Sequence, residues 1–188
     1  IYIWTGTATQ YKVNLLRKFF EQYKQDPSDL VFFLDDSKGI GSDEEIERYK
    51  IRRKYWESVL PSLQEATGAF LNISPSKNNS IMGATARSGV YLCCVANYDS
   101  ARVEIFIDQG DYQKNRAIYK RLEQNRDAIE VAYGKSLNWV CQDDVRACKV
   151  YDEIKEVSIK NEEDWPVMSA FHIQRAKALL VATKQFLA

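Results

Sequence analysis

The sequence predicts an α+β fold: an antiparallel sheet of two β-hairpins with helices in the order α-ββ-α-ββ-α, preceded by a short β-α-β segment. Three observations predict it. Residues 88–108 alternate with period two, and folding them about Tyr98-Asp99 sets Cys94 opposite Val103, Leu92 opposite Ile105 and Val90 opposite Ile107. A second such pattern, 137–142 with 147–153, folds about Asp144-Val145 and sets Trp139 opposite Val150 and Cys141 opposite Cys148. Segments of helical spacing stand before, between and after the two hairpins.

The elements follow in chain order. Ile1–Thr5 is a short β-prone run, residues 9–25 carry a helical stripe through Val13, Leu16 and Phe20, and LVFFLDD reads as a buried strand. The glycine-rich SKGIGS then breaks the chain. The chain opens on Ile1 rather than Met, so residues 1–41 are expected to be the tail of an upstream domain and 42–188 an α+β domain. Ser42 and Glu45 form a capping box for the next helix, whose stripe is Ile46, Tyr49, Trp56, Leu60 and Leu63. Pro61 is expected to kink or split that helix. Residues 72–88, NISPSKNNSIMGATARS, read as one long polar loop.

The first hairpin has one wholly apolar face: Val90, Leu92, Cys94, Val103, Ile105 and Ile107. A one-residue slip would expose all six, so the register is well specified. Its other face mixes aromatic and charged residues, among them Tyr91, Arg102, Glu104 and Phe106. Asp111 caps a helix predicted to run to about Tyr133, with Ile118, Leu122, Ile129 and Ala132 on its stripe and Gly134 as its stop. Asp164 and Pro166 start a final helix through Phe186, with Met168, Phe171, Leu179, Ala182 and Phe186 as its apolar positions.

Composition narrows the function classes. Hydrophobic content of 45% and charged content of 28% are ordinary for a globular chain. The formal net charge is zero, so attraction to nucleic acid or an anionic membrane requires a local patch. No apolar run approaches the ~18 residues of a membrane span, and no membrane partner is expected. The four cysteines, Cys93, Cys94, Cys141 and Cys148, contain no CxxC spacing, and His172 is the single histidine. No metal or other cofactor is therefore expected. With no secretion signal, the chain reads as cytoplasmic, with Cys141 and Cys148 close but reduced.

Basic side chains supply the candidate binding residues: Arg52, Arg53 and Lys54 on the first helix, Lys77 and Arg87 in the long loop, and Arg102 on the first hairpin. Their guanidinium and ammonium groups can contact phosphates, and they are expected to share one rim. A competing constellation is Asp144, Glu153 and Lys155, since an acid followed by E-x-K on a strand can hold Mg²⁺ and orient a water. Its placement on a tight hairpin argues against a nuclease. The run ending at Asp35-Asp36 lacks the GxxxxGK[ST] loop that a nucleotide hydrolase would need.

Ordered anchors also give a resemblance: Tyr55-Trp56, Arg87-Ser88-Gly89, Arg102-Val103-Glu104-Ile105, Arg126 to Glu130, Gly134, Leu137 with Trp139, and Asp164-Trp165-Pro166. Together they resemble the bacterial and archaeal domain-of-unknown-function family forty-two sixty-eight, over roughly residues 50–188. The resemblance implies a C-terminal domain behind nuclease-like domains, in restriction or phage-defence settings, with no catalytic residues to carry over. Where many relatives hold aromatics in the long loop, this chain has Asn79, Ser80 and Met82, which takes base stacking away from that loop. The expected function is a non-catalytic accessory module of a larger protein, contacting nucleic acid weakly. A protein-interaction or oligomerisation module is the alternative and a metal-dependent nuclease a second one. The upstream domain is an expected partner, and the sequence assigns no oligomeric state.

Overall fold

A computed structural model of the chain describes residues 43–187, with a compact unit at Arg48–Ala188. The β-α-β reading of residues 1–41 and the Ser42 cap lie outside the described residues. The architecture is α+β, with helices packed on a five-stranded antiparallel sheet. The strands are β1 (Ser80–Ala84), β2 (Val90–Ala96), β3 (Ser100–Ile107), β4 (Asn138–Val140) and β5 (Cys148–Lys155), in spatial order β1-β2-β3-β5-β4.

The first hairpin folds as its alternation requires, with Val90 opposite Ile107, Leu92 opposite Ile105 and Cys94 opposite Val103. The second sets Trp139 opposite Val150. β3 and β5 join the hairpins, pairing Ile105 with Val150 and Val103 with Asp152. Val90, Leu92, Cys94, Val103, Ile105, Ile107 and Val150 are buried, while Trp139 is half-buried and donates its indole N–H to Glu130 at 2.8 Å. β4 is shorter than predicted, ending at Val140.

Helix α1 (Asp43–Thr67) buries Tyr55, Trp56, Val59, Leu60 and Leu63, a stripe at helical spacing. It runs unbroken through Pro61, contrary to the predicted kink or split. Pro61 lies on the exposed side and removes one hydrogen bond, while buried Leu60 and Leu63 hold both sides of it to the core. Residues 72–88 are not all loop either, because β1 pairs there with β2. The period was hard to see because Gly83 fills half of the inner face of β1. A side chain at Gly83 would begin 2.8 Å from the Ala69 carbonyl oxygen, so only glycine lets the chain pass under the end of α1.

The predicted single helix from Asp111 is two, α2 (Tyr112–Glu123) and α3 (Arg126–Tyr133). Asn125 causes the break. Its side chain donates to the Arg121 carbonyl at 2.8 Å and its N–H to Leu122, which competes with the helical pattern. The break turns Ala132, predicted inward, to the surface. Gly134 ends α3 in the left-handed conformation, at φ +92°. Helix α4 (Trp165–Leu187) completes the layer, burying Met168, Phe171, Leu179 and Ala182.

Two buried polar residues tie the layers. His172 on α4 meets the Tyr55 hydroxyl at 2.7 Å and the Val95 carbonyl at 3.1 Å. Asp152 on β5 accepts from the Tyr133 hydroxyl at 2.5 Å and pairs with Lys135 at 2.7 Å and Arg175 at 3.8 Å. Cys141 and Cys148 are bonded as a disulfide, where the sequence reading kept them reduced. The register brings their Cα atoms to 4.4 Å, within reach of a disulfide. Among the described residues, no helix is long and apolar enough to cross a membrane.

Candidate nucleic-acid interface

Strand pairing sorts the face away from the helices into rows. One row runs Ala84, Tyr91, Phe106, Lys149 and Val140 across the sheet. The next runs Met82, Cys93, Glu104, Tyr151 and Asn138, and the next Ser80, Val95, Arg102 and Glu153. Tyr91 and Met82 are exposed, Phe106, Lys149, Tyr151 and Arg102 half-buried, and Cys93, Val95 and Glu104 buried.

The cations on this face lie over aromatic rings. Arg102 sits 5.1 Å from the Tyr151 ring centroid and Lys149 5.5 Å from it. Arg102 Nε also lies 2.8 Å from Glu104 Oε2, an ion pair off the line of a good hydrogen bond. Glu104 thus neutralises part of the charge that Arg102 brings. Burial pushes the Cys93 and Cys94 thiols well above their ordinary value, with Glu104 adding to the effect, so neither supplies a reactive thiolate.

The predicted basic residues do not share one rim. Arg52 lies 5.8 Å over the Tyr98 ring at the β2–β3 turn, where Lys160 approaches the same ring at 4.4 Å. Lys54 is paired with Glu162 at 2.6 Å, and Arg53 with Glu57 at 3.3 Å, both on the exposed surface. Lys77 is exposed and sits 4.9 Å over Tyr49, in the segment whose Asn79 bonds Asn97 and Ala96 beside that turn. Arg87 lies at the opposite end of β2. The seven residues of that strand separate the two ends by about 23 Å. Arg102 alone of the six belongs to the outer face.

Asp144, Glu153 and Lys155 do not converge either. Glu153 and Lys155 sit near the Ser100 end of β5, opposite Arg102 and Ser100. Asp144 lies in the β4–β5 connection, beyond the other end of that eight-residue strand. Among the described residues no group of three or more His, Cys, Asp or Glu is placed to hold a metal ion.

At the Arg87 end, the loops are tied by a buried asparagine. Asn115 on α2 accepts from the Gln109 N–H at 2.8 Å and donates to Asp108 at 3.3 Å and to the Arg146 carbonyl at 3.1 Å. The fork of Arg146 closes on Asp108 at 2.9 and 2.7 Å, and these hydrogen bonds hold the Asp108 carboxyl below its ordinary value. On the far side of the sheet Glu130 is also held low. Burial pushes it up, but the Leu137 N–H, the Trp139 indole and Arg126 outweigh that.

Parity alone puts Tyr91 and Phe106 on the outer face of the first hairpin and Lys149 and Tyr151 on that of the second, in one shared sheet, but it does not report the β3–β5 pairing that sets them side by side. A family model, the domain of unknown function DUF4268, matches residues 51–187. No curated protein and no solved structure matches the chain.

Proposed function

This chain belongs to the DUF4268 family, and from that premise we propose that it is a non-catalytic accessory module that contacts single-stranded nucleic acid weakly through the outer face of its sheet. The observation that carries the proposal is the Tyr91–Phe106–Lys149 row, two adjacent aromatic rings beside a cation, with Tyr151 and Arg102 in the next rows. Bases stack on aromatic side chains with little sequence preference, and neighbouring cations take the phosphates. Zero net charge and the Arg102–Glu104 pair keep the affinity low. The family resemblance supports a place at the C-terminal end of a larger bacterial protein of nuclease, restriction or phage-defence type. In that role the module positions a neighbouring domain and does no chemistry.

Fluorescence anisotropy with a labelled oligothymidylate tests this. Binding is expected around 10⁻⁴–10⁻⁶ M, weakening as salt rises. Tyr91→Ala and Phe106→Ala should each weaken it by about 1–3 kcal/mol while leaving the fold intact. Absence of binding at low salt would remove the reading in favour of a protein-interaction module. The exposed corner of Met82 (43%) and Tyr91 (36%) favours that second reading.

A further inference from the structure

Arg87 faces a cavity of about 520 Å³ that it shares with Gln109, Lys114, Ala117, Ile118 and Arg121. Three of the six are cations, and no carboxylate among the described residues lines the space. Lys114, Ala117, Ile118 and Arg121 stand on one side of α2 because residues three, four and seven apart share a helix face. Lys114 lies in the first turn of α2, where its own N–H donates to the capping Asp111 at 2.8 Å.

Arg87 enters from the opposite wall on a tight turn. Thr85 Oγ1 lies 2.7 Å from the Val90 carbonyl, to which it can donate, and accepts from the Arg87 N–H at 3.3 Å. Gly89 takes a left-handed φ of +72°, and a Cβ there would come within 2.5 Å of the Gln109 side chain. Gln109 in turn donates to the Ser88 carbonyl at 2.6 Å. The two walls are thus latched together by neutral contacts. Arg87 Nε is shielded from solvent without a hydrogen-bond partner. A buried donor left unmade is costly, and a phosphate oxygen is an acceptor that can complete it.

We infer that this cavity is a phosphate site, taking the dianionic end of a phosphomonoester between Arg87, Lys114 and Arg121. Arg87 offers the planar fork that matches phosphate oxygens, and Lys114 a mobile point charge. A dianion meets such a cluster better than the single charge of a bridging phosphodiester. The inference stands apart from the stacking face, whose nearest ring in the chain, Tyr91 on β2, follows Arg87 by four residues. Two sources share the chemistry, namely a free mononucleotide and the 5′-phosphate of a nucleic-acid strand.

Amide NMR of the full chain, titrated with inorganic phosphate, then AMP, then 5′-phosphorylated and 5′-hydroxyl oligothymidylate, tests the assignment. Phosphate and AMP should shift the amides of residues 85–89 and 112–118. Arg87→Gln and Lys114→Gln should each weaken that binding about tenfold, with spectra otherwise unchanged. A 5′-phosphorylated strand binding at least tenfold tighter than its 5′-hydroxyl counterpart assigns the strand as ligand, and AMP alone showing the effect assigns a free nucleotide. Phosphate shifts confined to other residues, or equal binding by both variants and the parent, would overturn the inference. An oligonucleotide that still binds through Tyr91 and Phe106 in that case leaves the proposed function standing.

Discussion

His172 should stay neutral in the folded protein far below the pH at which a free imidazole charges. Its ring is wholly buried, and both nitrogens have partners. The Val95 carbonyl can only accept, so Nε2 carries the hydrogen and donates to it, and Nδ1 accepts from the Tyr55 hydroxyl. Burial lowers the imidazole from 6.5 to about 4, although the backbone carbonyls of Val95 and Arg102 oppose the shift. The sign follows from proton counts. Above pH 6.5 neither state binds a proton there, and stability does not depend on this group. Between 6.5 and 4 the unfolded chain takes the proton and the folded chain refuses it, so stability falls with pH across that window. At 1.36 kcal/mol for each tenfold change in proton affinity, the full loss is about 3 kcal/mol. Urea unfolding of the parent and of His172→Gln from pH 7 to pH 4 measures it. The parent should lose about 3 kcal/mol more than the variant. Because the chain has one histidine, its imidazole NMR signal is unambiguous. A signal titrating near pH 6.5, or equal losses in both proteins, would refute the reasoning.

Three further outcomes are expected. Ile105→Ala removes a fully buried side chain at the middle of β3, and denaturant unfolding should register a loss of about 2–5 kcal/mol. Asp152→Ala leaves the buried Tyr133 hydroxyl and the Arg175 and Lys135 cations without their acceptor and should cost about 3–5 kcal/mol, against about 1 kcal/mol for Tyr133→Phe; similar losses for the two would show that Asp152 is not the hub. The unreduced protein should weigh two hydrogens less than the dithiothreitol-treated form, and reduction should lower stability by about 2 kcal/mol, since Cys141–Cys148 closes a short loop.

The parts of the fold legible in the sequence are those where a strand's two faces differ in kind. Val90, Leu92 and Cys94 against Val103, Ile105 and Ile107 set their own register, and the structure repeats it pair for pair. β1 was illegible because its inner face is Ile81 and Gly83, and a glycine carries no hydropathy. The break at Asn125 was illegible because Leu122 and Ile129 keep helical spacing across it, while the competing hydrogen bond is a side-chain event. For the candidate sites the sequence offered a supply of cations without their partners. Lys54 and Glu162, or Arg53 and Glu57, look like free charge until folding sets them side by side. Arg87, Lys114 and Arg121 gather only once α2 lies beside the β1–β2 turn, and nothing in their spacing reports that approach.

The buried polar residues do for layer placement what the apolar stripes cannot. An apolar face accepts many docking positions, because hydrophobic burial has no direction. A buried hydrogen-bonding group accepts one, since any other leaves it unsatisfied at a cost of about 1–3 kcal/mol. His172 ties α4 to α1 through Tyr55 and to the sheet through Val95. Asp152 ties β5 to α3 and α4 through Tyr133 and Arg175. Asn115, fully buried on α2, spends its amide on Gln109, Asp108 and the Arg146 carbonyl. The contact with Gln109 reaches the basic cavity, because Gln109 carries the latch to Ser88 that holds the Arg87 turn against α2. The position of Arg87 relative to Lys114 is therefore set through a neutral amide in the core and not by the charges themselves.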